Sequence, residues 1–201
     1  LDVENMIPGH GRPMQGSPDI KSVVSSNYDV IAFLHDQVRS YINLGYSADK
    51  IMDELKLPPR LANNPDLQPR YHALPWIIRG LYASEAGWVQ DVNSLTQHTA
   101  SKQAARYIEL IGIGKMLGAA KQAVVDKDYR WAITLAQTVL NAQPDNDAAK
   151  KLLMVSLQGL AYTTESAAER NYALTEVGTT AGKVKWDQIF TMVTSKICVK
   201  R

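Results

Sequence analysis

The sequence is short of the residues that build the most easily recognised sites. It has one cysteine, Cys198, which excludes an intrachain disulfide framework and a zinc knuckle, because each needs a pair of thiols. We predict that Cys198 is a free thiol near the chain end. The four histidines are scattered and show no ligand spacing such as His-Glu-x-x-His. The spacing of these residues alone therefore predicts no metal or disulfide site.

Long apolar runs and an excess of one charge are also lacking. No run approaches the roughly 20 residues that span a bilayer, so we predict no membrane span. The 22 Lys and Arg residues nearly balance the 20 Asp and Glu residues without a long basic block, so nucleic acid is not a predicted partner. With 201 residues, 45% of them hydrophobic, the chain can bury a sizeable core in one or two domains.

The N-terminal segment contains a turn that can orient a histidine. Residues 3–7 predict a short strand that ends at Pro8, and Gly9 and Gly11 flank His10. Glycine reaches backbone angles that other residues avoid, so such a turn can aim one imidazole at a metal. A single histidine is nevertheless one donor, whereas a zinc site needs three or four. From the residues alone, an exposed histidine in a turn is favoured over a metal ligand.

After about residue 20 the pattern is helical. Apolar and aromatic residues recur at spacings of three and four up to Gly45, and they are Val24, Tyr28, Ile31, His35, Val38 and Ile42. This spacing predicts one buried helix face, with His35 as a hydrogen-bonded core histidine rather than a ligand. Ser47 is the predicted N-cap of a shorter helix, which Pro58 and Pro59 close, and a loop is predicted from there to about Arg70.

Another helix is predicted to begin near Pro75, which the first helical turn tolerates, and to end at Gly87. We expect Arg79 to pair with a carboxylate and to bridge two helices. His72 and His98 are predicted to lie in loops. Residues 89–98 carry no strong pattern.

The clearest architecture lies between residues 115 and 162. Two apolar faces flank the break at Pro144, the first being Tyr129, Ala132, Ile133, Ala136, Val139 and Leu140, and the second Ala149, Leu153, Leu157 and Leu160. Their small residues let the helices approach closely. The segments at 128–132, 143–146 and 157–160 resemble a tetratricopeptide repeat, a helical pair that must stack on other helices or on another subunit.

Several motifs occur in the order found in one enzyme family. They are Pro-Gly-His-Gly-Arg-Pro at 8–13, Phe-Leu-His-Asp-Gln at 33–37, Leu-Pro-Pro-Arg-Leu-Ala at 57–62, the residues Tyr71, Trp76, Arg79, Tyr82, Gly87 and Trp88, Asp-Tyr-Arg-Trp-Ala at 128–132, and Arg-Asn-Tyr-Ala-Leu at 170–174. Together they resemble the alkyl sulfatases of the metallo-β-lactamase superfamily. The resemblance covers about residues 3–178.

This resemblance implies an all-α fold, a multi-helix bundle with a tetratricopeptide-like pair. A short strand and loop left over from a metallo-β-lactamase-like domain would precede the bundle. The implied divisions are a catalytic-domain remnant at 1–18, a helical dimerisation domain at 19–178, and a C-terminal tail or helix at 179–201. The catalytic domain and a sterol-carrier-like domain of the family would lie outside this chain.

The implied function is that of a fragment, the dimerisation domain of a zinc-dependent alkyl sulfatase. The parent enzyme, a metal-dependent sulfuric ester hydrolase, would convert alkyl sulfate esters to alcohol and sulfate at a binuclear zinc centre. His10 would be a ligand to one zinc, and a homodimer is expected. The fragment alone is expected to be inactive and not to hold zinc.

Two questions stay open at this stage. The aromatic group of Tyr71, Trp76, Tyr82 and Trp88 is predicted to pack between helices or across a dimer interface in preference to lining an alkyl-chain tunnel. The alternative to an enzyme fragment is a free-standing helical module that binds a protein partner. The compartment, periplasmic or secreted against cytoplasmic, is left open, because a targeting signal would lie outside this chain.

Overall fold

The computed structural model describes residues 2–183. Cys198 and all but residues 179–183 of the predicted C-terminal tail or helix lie outside the described residues. The chain divides between Thr96 and Gln97 into two compact parts, here called the N-terminal unit and the C-terminal unit.

The described residues are mainly helical, as the sequence predicts. In the N-terminal unit the elements are β1 (Asn5–Met6), β2 (Met14–Gln15), α1 (Ser17–Asn43), α2 (Ala48–Glu54), α3 (Pro59–Ala62), a 3-10 turn (Pro65–Leu67), α4 (Leu74–Ala86) and α5 (Val92–Thr96). In the C-terminal unit they are α6 (Ala100–Ile111), α7 (Ile113–Val125), α8 (Tyr129–Ala142), α9 (Asp147–Thr163) and α10 (Ala167–Thr180). None of the described helices is long and apolar enough to cross a membrane.

The chain begins with a small antiparallel hairpin in place of the single predicted strand. Asn5 pairs with Gln15 and Met6 with Met14. The predicted strand at 3–7 is thus only two residues long, and β2 was not predicted, because two residues cannot display an alternating pattern. Gly11 adopts a φ of 106° in the connecting loop, a conformation that favours glycine.

Helices α1, α2 and α4 form the core of the N-terminal unit. Leu34 and Val38 of α1 pack with Ile51 of α2 and Ile78 of α4, and all four are almost fully buried. Ser47 caps α2 as predicted, since its hydroxyl accepts from the Lys50 N–H.

The predicted buried face of α1 is correct only in its second half. Val24, Tyr28 and Ile31 are 51%, 72% and 55% exposed. Helix α1 has 27 residues and is about 40 Å long, whereas α4 has 13 residues and is about half that length. The apolar spacing therefore continues along α1 beyond the part that α4 packs against.

Two further predictions about the N-terminal unit were incomplete. The predicted loop to Arg70 contains α3 and the 3-10 turn, each begun by a proline. The patternless segment after residue 89 contains α5, which a hydrogen bond from the Ser94 N–H to the Asp91 carboxylate helps to start. Such one-turn helices are too short to show a helical period.

The C-terminal unit is a series of packed helices whose apolar faces match the prediction. Ala132, Ala136 and Val139 of α8 are fully buried, and Ala149 and Leu153 of α9 are buried against the same cluster of helices. Helix α8 contacts α6, α7 and α9, and α10 packs on α9. Because alanines line α8, its neighbours can approach its backbone closely.

A buried carboxylate fixes the start of α10. Glu169 is almost fully buried and accepts hydrogen bonds from Arg130 at 2.6 Å and from the Thr164 hydroxyl at 2.5 Å. Its backbone N–H donates to the Ser166 hydroxyl, the N-cap of α10. Several donors thus compensate the desolvation of this carboxylate, and the Arg130 pair ties α8 to α10.

Gly159 leaves room on α9 for an aromatic ring of α8. A Cβ atom at Gly159 would overlap the ring of Tyr129. The Tyr129 ring therefore lies directly on the backbone of α9, and only a glycine leaves room for it.

We expect the substitution Gly159→Ala to lower the free energy of unfolding by about 1–3 kcal/mol, because the added methyl group must displace the Tyr129 ring. Urea unfolding followed by circular dichroism measures this effect. The matched control is Gly118→Ala in α7, where a Cβ atom would meet nothing within 4 Å. The control is expected to stabilise by about 0.5–1 kcal/mol through helix propensity. Equal stabilisation by both substitutions would contradict the proposed contact.

Candidate functional site

His10 lies in the loop between β1 and β2 and is held by an aromatic contact. Its imidazole stacks on the ring of Tyr71, with 3.9 Å between ring centroids and 22° between planes. Tyr71 in turn makes an edge contact with His72, at 4.6 Å and 80°. The segment before α4 therefore positions the histidine that the sequence singled out, although about 60 residues separate them in the chain.

A single imidazole does not make a metal site. Among residues 2–183, no group of three or more His, Cys, Asp or Glu side chains lies close enough together to hold a metal ion. Zinc takes three or four protein ligands. The described residues by themselves therefore do not fit a zinc centre, and His10 can supply at most one donor to a centre completed by other residues. The predicted role of His10 stays a prediction.

An apolar groove lies beside the His10–Tyr71 stack. It has a volume of about 450 Å³ and lies between α1, the 3-10 turn and α4. Aliphatic side chains form most of its lining, namely Val30, Ile31, Leu34, Leu57, Leu67, Leu74, Ile77 and Leu81. The polar lining consists of Asn27, His35, Asp66, Gln68, Tyr71 and His72. Concave, mainly apolar surfaces of this size with a few polar groups are typical of sites for small molecules.

His35 lies elsewhere than predicted. It is half-buried and lines the groove, whereas the core next to it is formed by Leu34 and Val38. Helical periodicity cannot separate a core position from the wall of a groove, because both face the packed side of α1. His72 and His98 lie in loops, as predicted.

The four singled-out aromatic residues do not act as one group. Tyr71 lines the groove, whereas Tyr82 is buried in the core of the N-terminal unit. Trp76 is half-buried on α4, and Trp88 is 69% exposed beyond its end. Packing between helices is therefore confirmed for Tyr82. Tyr71 differs from the other three because it lies at the wall of the groove.

Exposed ion pairs connect the helices around the groove. Arg39 of α1 binds Glu85 of α4 at 2.8 Å, and Arg60 of α3 binds Asp29 of α1 at 2.7 Å. Arg79 of α4 binds Asp49 of α2 at 3.0 Å, which confirms the predicted bridge between helices. Exposed pairs of this kind contribute little stability.

The Arg39–Glu85 pair makes a contribution to stability that depends on pH. The hydrogen bond from Arg39, with its positive charge, lowers the pKa of the Glu85 carboxyl and raises that of the Arg39 guanidinium. Because the pKa of Glu85 is depressed in the folded chain, the pair stabilises the fold at neutral pH. That contribution is lost as the pH falls through the lowered pKa.

A second, more polar depression lies next to the groove. It has a volume of about 310 Å³ and is lined by residues of β2 and α1 together with Arg12 and Asp66. Asp66 lines both the polar depression and the apolar groove. Sequence reasoning missed both concavities. The aliphatic residues at 74, 77 and 81 recur at helical spacing, and this spacing does not distinguish the wall of a groove from a packed core.

Comparison with known proteins assigns the chain to a family. Residues 47–182 match the family described as alkyl sulfatase dimerisation. A linear primary-alkylsulfatase from Pseudomonas sp. is 31% identical over 185 residues, which cover 90% of this chain and 35% of that protein. An (R)-specific secondary-alkylsulfatase from Pseudomonas sp. is 29% identical over 173 residues, which cover 85% of this chain and 26% of that protein.

A solved structure has the same fold. A stereoselective inverting sec-alkylsulfatase from Pseudomonas sp. matches with a TM-score of 0.83 and 27% identity over 91% of this chain and 29% of that one. The chain thus spans about a quarter to a third of the length of these relatives. The family match includes α2 to α10, and the alignments with the relatives extend over most of the remainder. The chain belongs to the alkyl sulfatase dimerisation family.

Proposed function

We propose that this chain is the dimerisation part of an alkyl sulfatase that hydrolyses alkyl sulfate esters to alcohol and sulfate. The observation that carries the proposal is the family match over residues 47–182, together with relatives that are named alkylsulfatases. The chain matches only part of the length of each relative. Its own role would then be to hold two copies of the enzyme together and to contribute side chains at the edge of the active site.

The proposed parent enzyme has a metallo-β-lactamase-like catalytic domain with two zinc ions, and His10 is one of the zinc ligands. Two features support this role for His10. The imidazole lies in a loop bounded by β1 and β2, and Tyr71 holds its ring in one orientation. Fixing the orientation of a histidine ring is a common requirement of a metal ligand.

Homodimer formation is the proposed interaction of the helical part. Helices α8 and α9 form the tetratricopeptide-like pair of the proposal, and such pairs bury one face against neighbours. Large apolar side chains are nevertheless exposed in the C-terminal unit, including Leu110, Trp131, Val155 and Tyr162. These apolar side chains are available for contact with another copy of the chain.

We expect this chain to be a zinc-free dimer. Light scattering should give twice the 22.3 kDa of one chain, and elemental analysis of the same sample should find no stoichiometric zinc. The physical reason is that the exposed apolar residues favour self-association, whereas His10 offers one donor only. Measurement over a hundredfold range of dilution serves as the control against weak, non-specific association. A monomer that binds stoichiometric zinc would contradict the proposal, and a zinc-free monomer would favour the free-standing interaction module.

We expect the substitution Tyr71→Leu to release the His10 ring. Loss of the stacked aromatic ring should move the His10 ring-proton resonances downfield in the NMR spectrum, because an aromatic face shields a group that lies on it. The control is Tyr28→Leu, which removes a 72% exposed tyrosine from α1. His10 resonances that are equally unaffected by both substitutions would contradict the positioning role of Tyr71.

A further inference from the structure

We infer that helix α6 is the centre of the dimer interface, and that the α6 helices of two copies pack antiparallel across a two-fold axis. This inference rests on the homodimer of the proposed function. It deepens that proposal, because it assigns the contact to one side of one helix of the C-terminal unit and gives the register in which the two copies meet.

Helix α6 is amphipathic, and its apolar side carries no charge. Its three charged residues, Lys102, Arg106 and Glu109, lie together on the opposite side. Packing within the C-terminal unit uses only part of the apolar side. Ala104 is buried, and Ile108 packs against a cluster of α7, α8 and α9 residues. The rest of the apolar side is left without a cover in the C-terminal unit.

The uncovered part of α6 forms a line of residues, here called the seam. Its members follow one another at spacings of three, four and three residues, namely Ala100, Gln103, Tyr107 and Leu110. This spacing is that of the contact positions in paired helices. Tyr107 is 44% exposed and Leu110 is 82% exposed. The Gln103 amide donates to the Tyr107 hydroxyl at 3.1 Å, so the polar groups of the seam are paired with each other.

The sizes of the seam residues suit a second copy of the same helix. In an antiparallel pair around a two-fold axis, each residue meets one from the other end of the seam, and every contact occurs twice. Leu110 of one copy then faces Ala100 of the other, and Tyr107 faces Gln103. A large side chain thus meets a smaller one at each position, which is how facing layers interdigitate. A parallel pair would set Ala100 against Ala100 and leave a gap at that end.

The family match and the lack of charge favour a second copy over another partner. The matched residues 47–182 include all of α6, and the family is described as one of dimerisation. The cores of homodimer interfaces are apolar and depleted of charged residues, as the seam is. A stable dimer buries roughly 800 Å² on each copy, which is more than a helix about 18 Å long offers. The seam is therefore the centre of a larger interface, where the residues that decide affinity cluster.

Sedimentation velocity of the 201-residue chain, measured over a dilution series, tests the seam. We expect Leu110→Glu to raise the dissociation constant of the dimer at least about a hundredfold, because each copy would bury a carboxylate without a partner. The matched control is Val155→Glu, which changes a residue of α9 that is 49% exposed and lies outside the seam. The control should remain a dimer, and circular dichroism should show equal helix content in both variants.

Disulfide cross-linking tests the antiparallel arrangement, with Cys198→Ser as the background. Oxidation of an equal mixture of the Ala100→Cys chain and the Leu110→Cys chain should give a covalent dimer, because these two positions face each other. Each variant oxidised alone should stay uncross-linked. The reason is that an antiparallel pair holds its two identical positions about 15 Å apart, beyond the reach of a disulfide.

The outcomes separate the inference from the proposed function. If the unchanged chain and the Leu110→Glu variant are both dimeric, the inference is wrong and the homodimer of the proposed function stands. Equal dissociation by Val155→Glu, or a covalent dimer from the Leu110→Cys chain alone, also contradicts the inference. A monomeric unchanged chain contradicts both. A dimer that only Leu110→Glu dissociates, with cross-linking only in the mixture, supports the inference.

Discussion

The N-terminal unit depends on the interlocking of α1 with α2 and α4 through Leu34, Val38, Ile51 and Ile78. Burying each of these side chains is worth about 1.5–3 kcal/mol, which is more than the exposed ion pairs between the same helices can supply. This packing fixes the line along which α4 crosses α1. It thereby shapes the groove between them and places the segment just before α4, with Tyr71, against the His10 loop.

The C-terminal unit is held by different means. Its core combines leucine, methionine and valine side chains with many alanines, which let the helix backbones approach closely. Tyr129 lies on Gly159, and the buried Glu169 receives hydrogen bonds from Arg130 and Thr164. These contacts fix α8, α9 and α10 relative to one another. Several large apolar residues of this unit, among them Leu110 and Tyr162, are exposed. They are available for contact with a second copy of the chain.

The sequence predicted the long helices well, because each of them carries several turns of one apolar period and ends at glycine, proline or a capping residue. Ser47 caps α2, Pro75 lies in the first turn of α4, and Gly87 ends α4, each as predicted. The motifs also identified the family correctly, whereas β2, α3 and α5 are too short to display any period.

The exposed residues Val24, Tyr28 and Ile31 show a further reason why burial was predicted wrongly. Periodicity identifies which face of a helix is apolar. How much of that face is buried depends on the length and position of the neighbouring elements. The candidate site was harder to predict than the fold, because the stack of His10 on Tyr71 and the groove between α1, the 3-10 turn and α4 join residues that meet only after folding.

The central claim is that the packing of α1, α2 and α4 places Tyr71 against the His10 loop and so orients the His10 imidazole. The most direct measurement is a nuclear Overhauser spectrum of the chain with labelled aromatic rings. The account predicts cross-peaks between the ring protons of His10 and those of Tyr71, because the two ring centroids are 3.9 Å apart. A His10 ring without cross-peaks to Tyr71 would contradict it.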